Sequence, residues 1–221
     1  MIRINELKLP LDEDEKELYR LAAKALKIGE RHIRELTICK KSVDCRKKDD
    51  IKFIFSVDVA LDIDEKRVAS KAGNRVSLSE KSVYTLPPVK RKSTLRPVIV
   101  GFGPAGMFAA LTLTEAGLSP IIIERGETVD ERTASVKSFW RTRVLNPESN
   151  VQFGEGGAGT FSDGKLTTGI KDKRCRRVFE KFCEHGAPSE IMYSATPHIG
   201  TDRLAGVVKA IRKTVERSEE R

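Results

Sequence analysis

The sequence predicts an α/β chain in two parts. A parallel, doubly wound sheet domain occupies residues 98–221, and a small α+β module occupies residues 1–86, with a basic linker at 87–97 between them. Three observations carry this reading. Residues 98–124 run in the order apolar strand, glycine turn, apolar helix, apolar strand and acid, which is the order of a nucleotide-binding β-α-β unit. Residues 2–61 alternate strand-like and helix-like periodicities on a shorter scale. The stretch PPVKRKSTLR separates the two, stiffened by two prolines and solvated by four basic residues.

In the first module Ile2, Ile4, Leu7 and Leu9 predict a leading strand closed by Pro10. Asp12 is placed to cap a helix whose apolar positions are Leu18, Leu21, Ala22, Ala25 and Leu26, with Gly29 just past its end. Strands are expected at Ile33–Lys40 and Ile51–Leu61, where Phe53, Phe55, Val57 and Val59 alternate with polar residues, and SVDCRKKDD between them reads as a charged turn. Beyond Leu61 the pattern assigns no element.

Composition removes several classes. The charge is +9 overall, but residues 1–97 hold 23 basic and 16 acidic residues whereas residues 98–221 hold 18 and 16. A basic module permits an acidic partner, yet without an RNA-binding signature or an aromatic stacking platform nucleic acid is not the expected ligand. No apolar run approaches the ~20 residues of a membrane span, and the N-terminus turns acidic where a signal peptide needs an apolar stretch. Cys39, Cys45, Cys175 and Cys183 form no CxxC pair and the three histidines are dispersed, so no metal site is expected, and the reading is of a cytoplasmic protein with free thiols.

The chemistry sits in the second part. In GFGPAG, Gly101 permits a tight turn after the strand Val98–Gly101, Gly103 lets backbone approach a pyrophosphate, and Gly106 lets helix and strand pack closely; Pro104 and Ala105 lie between them. The helix N-terminus offers free N–H groups to phosphates. After Ile121–Ile123, Glu124 can accept hydrogen bonds from ribose hydroxyls, and its charge disfavours a 2′-phosphate, leaving FAD and NAD as dinucleotides. Arg125 follows it in the sequence ERG, and Arg132 is placed either to reach the pyrophosphate or to form an exposed salt bridge. Residues 150–170, NVQFGEGGAGTFSDGKLTTGI, hold six glycines punctuated by Phe153, Phe161, Leu166 and Ile170, more apolar than a solvated linker needs. Lys165 can neutralise a phosphate or the charge of a reduced flavin.

The runs GFGPAGMFAALTLTEAGLSPIIIERG, FW at 139–140, NVQFGEGGAGTFSDGKLTTG and PHIGTDRL together resemble a bacterial family of poorly characterised FAD-dependent dehydrogenases, closely over residues 98–208, and SVDCRKKDDIKFIFSVDV resembles that family's N-terminal module. The resemblance implies a glutathione-reductase-like FAD-binding fold, incomplete at its C-terminal side. Gly156, Gly157, Gly159, Thr160, Ser162 and Lys165 would then lie near the pyrophosphate or the isoalloxazine. It also implies an FAD-dependent oxidoreductase that passes a hydride or electrons between a nicotinamide, NAD(P)H, and an unidentified small-molecule or other acceptor. The alternatives are a nucleic-acid-associated flavoprotein using the basic module, and a flavin-binding protein without turnover.

The remaining expectations are smaller. The loop after the first β-α-β unit has no cysteine pair for a disulfide relay; Cys175 and Cys183 are expected on a helix over Lys173–His185, packed beside Val178, Phe179 and Phe182. His198 in TPHIGTD reads either as an acid–base group at a flavin edge or as a loop histidine bonded to backbone, and Trp140 is expected in the core. Thr201 is placed to cap a helix with Leu204, Val207, Val208, Ile211 and Val215 on one face. A third parallel strand is expected after that helix. Hence the chain reads as the N-terminal part of a longer protein, with the helix's apolar stripe exposed and any nicotinamide site beyond residue 221.

Overall fold

A computed structural model describes the chain except for Lys81, Ser82, Arg91, Lys92, Ser93, Lys171, Glu220 and Arg221. The architecture is mixed α/β, with a four-stranded antiparallel sheet and a two-stranded parallel sheet. The chain divides into two compact units, Met1–Val83 with Met192–Pro197, and Tyr84–Ile191 with His198–Arg221.

The first unit runs β1 (Ile2–Pro10), α1 (Glu17–Leu26), β2 (Ile33–Asp44), β3 (Lys52–Leu61), α2 (Glu65–Lys71) and β4 (Val76–Leu78). Its strand order is β2-β3-β1-β4, all antiparallel, so two split β-α-β units interlock. The period of two explains the core: Ile2, Ile4, Leu7 and Leu9 of β1 and Phe55, Val57 and Val59 of β3 are buried against Leu18, Ala22 and Leu26 of α1. The phase of β1 survives a bulge between Ile4 and Leu7, where Glu6 takes φ 59°.

Several local expectations are corrected. Asp12 does not cap α1; the helix starts at Glu17 and Asp14 accepts from the Lys16 amide at 2.8 Å. Its C-terminus is closed by Lys27 in the left-handed region, not by Gly29. β2 continues through the expected turn to Asp44, because its bulge at Ile38/Lys40 lets Lys41 and Val43 stay paired with Phe55 and Phe53. The stretch after Leu61 forms α2, capped by Asp64 on the amides of Lys66 and Arg67, and then β4. The Lys41 backbone also bonds Tyr193 and Ala195, which gives β2 a neighbour at its edge.

The second unit contains β5 (Val98–Val100), α3 (Pro104–Glu115), β6 (Ile121–Ile123), α4 (Val129–Thr142), α5 (Lys173–Glu184) and α6 (Thr201–Glu216). β5 and β6 pair in parallel, Val98 with Ile121 through Val100 with Ile123. Of the expected linker, Arg91, Lys92 and Ser93 lie outside the described residues; Arg96 is anchored, donating to the carbonyls of Ser119 and Pro120.

Here the expected exposed stripe on α6 is overturned. Leu204, Val207, Val208, Ile211 and Val215 are all buried, packed in one cluster with Met107, Ala110 and Leu111 of α3. Helix covers helix, so α6 does not depend on a wide sheet for its apolar face. Two further corrections follow. Gly200, with φ 95°, occupies the α6 N-cap position instead of Thr201, which is the first helical residue. Trp140 is 58% exposed, because α4 buries only Val129, Arg132 and Val136 and turns its C-terminal end outward. Phe182 stacks edge-on against Phe108 at 5.1 Å, and Cys183 packs partly against the same cluster. No helix among the described residues is long and apolar enough to cross a membrane.

Candidate functional site: two glycine-rich segments at one helix start

The site is assembled from the β5–α3 turn upward. Gly101 takes φ 92°, a conformation open to glycine, and its amide donates to the Ile123 carbonyl at 2.7 Å, fixing the turn to β6. Gly103 is the N-cap of α3 and Pro104 the first helical residue, so the unbonded amides of the first turn are those of Ala105 and Gly106. A Cβ on Gly106 would lie 2.0 Å from the Gly101 carbonyl oxygen, so helix and strand meet at a separation that only glycine allows. A Cβ on Gly103, in contrast, would meet nothing nearer than the Gly157 Cα at 4.0 Å. The space above Gly103 is open.

The second glycine-rich segment docks on this turn. The Gly156 amide donates to the Phe102 carbonyl at 2.8 Å, and Gly157, at φ 67°, sits against Pro104. Behind them, Gly126 and Gly154 approach so closely that a Cβ on Gly126 would fall 2.4 Å from the Gly154 Cα. The structure therefore brings Gly101, Gly103, Pro104, Ala105, Gly106, Gly156 and Gly157 to one place.

Glu124 closes the far side. Its carboxylate accepts from the Phe102 amide at 2.6 Å and the Gly126 amide at 2.8 Å, so it ties the end of β6 to the first glycine turn and keeps lone pairs for a further donor. Beside it lies a cavity of about 410 Å³, with walls that include Phe102, Ile122, Glu124, Glu127, Glu155 and Arg212.

Other expected site residues stand elsewhere. Arg132 is 0% exposed, neither on a pyrophosphate nor in an exposed salt bridge. Its guanidinium donates to the carbonyls of Asn150, Val151, Glu155 and Gly157, so it is the internal core around which the glycine-rich loop winds. Burial pushes its pKa down, and the charges of Glu124 and Glu155 resist that. Thr160 is likewise buried, its hydroxyl 3.4 Å from Arg132 Nη1 and from the Glu155 carbonyl. Arg125 is exposed, paired with Glu148 at 3.3 Å and lying over the Phe153 ring. Gly159 is exposed and accepts from the Ser162 hydroxyl at 2.7 Å. Lys165 pairs with Asp163 at 3.1 Å and, through its backbone, with His198.

Sequence reasoning missed Glu155, which is 3% exposed and receives the Val129 amide at 2.5 Å. Burial pushes its pKa up, against the Val129 N–H and Arg212. A signal existed: a lone acid between two closely packed glycines, and Arg212 beside the apolar α6 positions Val208 and Ile211. Among the described residues no group of histidines, cysteines and acids could hold a metal ion.

Residues 1–60 match a family model described as a domain of unknown function, DUF8436. An uncharacterized protein of Clostridium beijerinckii is 50% identical over 218 residues, covering 98% of this chain and 41% of that protein. The chain thus spans about two fifths of the length of that relative.

Proposed function

We propose that the protein is an FAD-dependent oxidoreductase of the glutathione-reductase-like type, exchanging a hydride or electrons between a nicotinamide and an acceptor. The observation that carries this reading is the docking of the 150–162 loop on the β5–α3 turn, through Gly156 and Phe102, with open space left over Gly103. Such a cradle of backbone, with free amides at Ala105 and Gly106, suits a pyrophosphate and no bulky side chain.

In this reading α3 turns its positive end toward the phosphates and Glu124 takes the ribose hydroxyls on its remaining lone pairs. The 410 Å³ cavity beside Glu124 falls within the size range of small-molecule sites and adjoins the place where an adenosine would lie. Gly157 borders the cradle on its second side, its Cα 4.0 Å from where a Cβ on Gly103 would stand. The flavin, when bound, supplies the redox chemistry, and the chain's own contribution is to bind and orient it.

The test is FAD titration into the purified protein and its Gly103→Val variant, followed by absorbance and fluorescence. Because the space over Gly103 is open, the variant is expected to fold and unfold like wild type. FAD affinity is expected to fall by at least about 100-fold, since the branched side chain would stand where the phosphates approach. Equal flavin loading of the two proteins would overturn the assignment of this cradle.

A further inference from the structure

We propose that Glu155 is the positioning residue of the cradle: it joins the glycine-rich loop to the start of α4 and to α6, and by holding Gly156 and Gly157 over the first turn of α3 it sets how tightly a dinucleotide is bound. The inference rests on the dinucleotide reading for its ligand, while the positioning itself can be measured without one.

The ties of Glu155 come from three directions. Its Oε2 accepts from the Val129 amide at the first turn of α4, a place where a carboxylate is also favoured by the helix dipole. Its Oε1 lies 2.9 Å from Arg212 Nε of α6. The N–H is not aimed at the oxygen, so this contact acts through charge and leaves neither atom with a formal hydrogen bond. Its backbone amide donates to the Glu127 carbonyl at 3.1 Å, and its carbonyl receives Arg132 Nη1 at 2.7 Å. The next amide along the chain, that of Gly156, makes the bond to Phe102 that docks the loop. Displacing Glu155 therefore displaces the contact on which the cradle depends.

The side-chain acceptor, more than the charge, is what the site requires. Arg212 has other partners, Asp130 at 3.4 Å and Glu216 at 3.5 Å, and keeps them if Glu155 is neutral. The charged groups facing Glu155 are Arg212 and Glu216 from α6, Arg132 and, through Arg212, Asp130 from α4, with Glu124 and Glu127 on the same cavity wall. Burial outweighs the favourable partners and raises the Glu155 pKa. A group with a raised pKa in the docked state favours docking while it is protonated, and this advantage is lost as pH rises through that pKa. The docked loop is thus expected to tighten as pH falls from neutral toward the ordinary carboxylate value of about 4.3.

The experiment compares wild type, Glu155→Ala and Glu155→Gln. Hydrogen exchange of the Glu155, Gly156 and Gly157 amides is measured without ligand, and FAD affinity is measured between about pH 5 and 8. In Glu155→Ala these amides are expected to exchange about tenfold faster and FAD to bind about tenfold more weakly, the effect of one lost hydrogen bond. Glu155→Gln should restore both, and its affinity should lack the rise on acidification that wild type shows. Unchanged exchange in Glu155→Ala overturns the proposal, as does a Gln variant impaired like Ala. If Glu155→Ala does not fold, identical pH profiles for wild type and Glu155→Gln overturn it. Wild type that fails to bind FAD, with exchange behaving as expected, removes the dinucleotide reading and leaves the positioning role standing.

Discussion

In the four-stranded sheet, alternate residues of β1 and β3 point into a core that α1 closes, and the buried set Ile2, Ile4, Phe55, Val57 and Val59 belongs to the strands themselves. In the two-stranded sheet, β5 and β6 give their cluster one residue each, Ile99 and Ile122, while Val98, Val100, Ile121 and Ile123 are exposed. The second core is made by helices instead, chiefly α3 against α6. The difference shows two ways of fixing backbone. The first unit uses a ladder of strand pairs, and its side chains need only alternate. The second has few ladder bonds and holds its long irregular stretch, 143–165, through glycine contacts and two buried charged residues, Arg132 and Glu155. The first arrangement spreads stability over many small contributions, and the second concentrates it.

The sharpest way to break this comparison is Arg132→Ala. The substitution would leave the carbonyls of Asn150, Val151, Glu155 and Gly157 without their shared donor in a buried site. The expected loss is about 4 kcal/mol for the second unit, in the range found when one member of a buried charged network is removed. Arg132→Lys should recover little, since an ammonium cannot span four carbonyls set around a planar fork. Chemical denaturation followed by hydrogen exchange would check this. Amides of residues 150–160 should lose protection while those of β1 and β3 keep theirs. A loss below about 1 kcal/mol would show that the glycine contacts hold the loop by themselves.

How much of this was legible follows from the same contrast. Period-two patterning is a direct consequence of strand geometry and 3.6-residue spacing of helix geometry, so β1, β2 and β3 on the one hand and α1 on the other were readable residue by residue, and only their ends moved. Lys27 closes α1 where Gly29 looked better suited, because cap geometry depends on a single φ angle that composition does not report. The glycine spacing of GFGPAG was readable because each glycine answers a steric demand, and the 2.0 Å separation at Gly106 shows how strict one of them is. Arg132 and Trp140 were not readable. An arginine surrounded by polar sequence looks exposed until the loop that wraps it is seen, and an aromatic near the end of an amphipathic helix looks buried until the neighbouring helices are placed. The burial of Arg132 depends on contacts 18 or more residues away, and the exposure of Trp140 on where α4 ends, neither of which a local pattern encodes.

A middle-sized effect tests the ladder side of the comparison. Asp58 of β3 is 8% exposed and receives a two-pronged pair of bonds from Arg3 of β1, at 2.8 and 2.7 Å, across the strand pairing. Burial pushes the Asp58 carboxyl up, but the hydrogen bonds and charge of Arg3, with Cys39 and Ser79 beside it, bring its pKa below the ordinary value. A depressed acid contributes stability above its unfolded pKa and loses it as pH falls through the folded one. Asp58→Asn is therefore expected to destabilise the first unit by about 1–2 kcal/mol at pH 7, and by progressively less below about pH 4. Thermal unfolding of both proteins across that range would settle it. A difference that stays constant with pH would mean that the pair acts through shape and not through charge.

The smallest expected effect concerns the place where the two ways of fixing backbone give out. α4 ends at Thr142 with Arg143 in the left-handed region, and from there the chain runs exposed through Glu148 until Ser149 and Asn150 are buried. Trp140 lies just before that point, its ring 5.6 Å from Phe139 and more than half exposed. A tryptophan in a helical core would lose about 3–5 kcal/mol on truncation to alanine, through lost burial and the cavity left behind. In this position there is little burial to lose and no enclosing wall to collapse. Trp140→Ala is expected to change stability by no more than about 0.5 kcal/mol, the level of ordinary surface substitutions. Denaturant unfolding would measure it, and the same variant should leave amide protection around Arg132 unchanged, because Arg132 lies two turns earlier, in the buried first half of the helix. A loss of several kcal/mol would instead place Trp140 in a packed environment, and the division between the helix-built core and the exposed end of α4 would have to be redrawn.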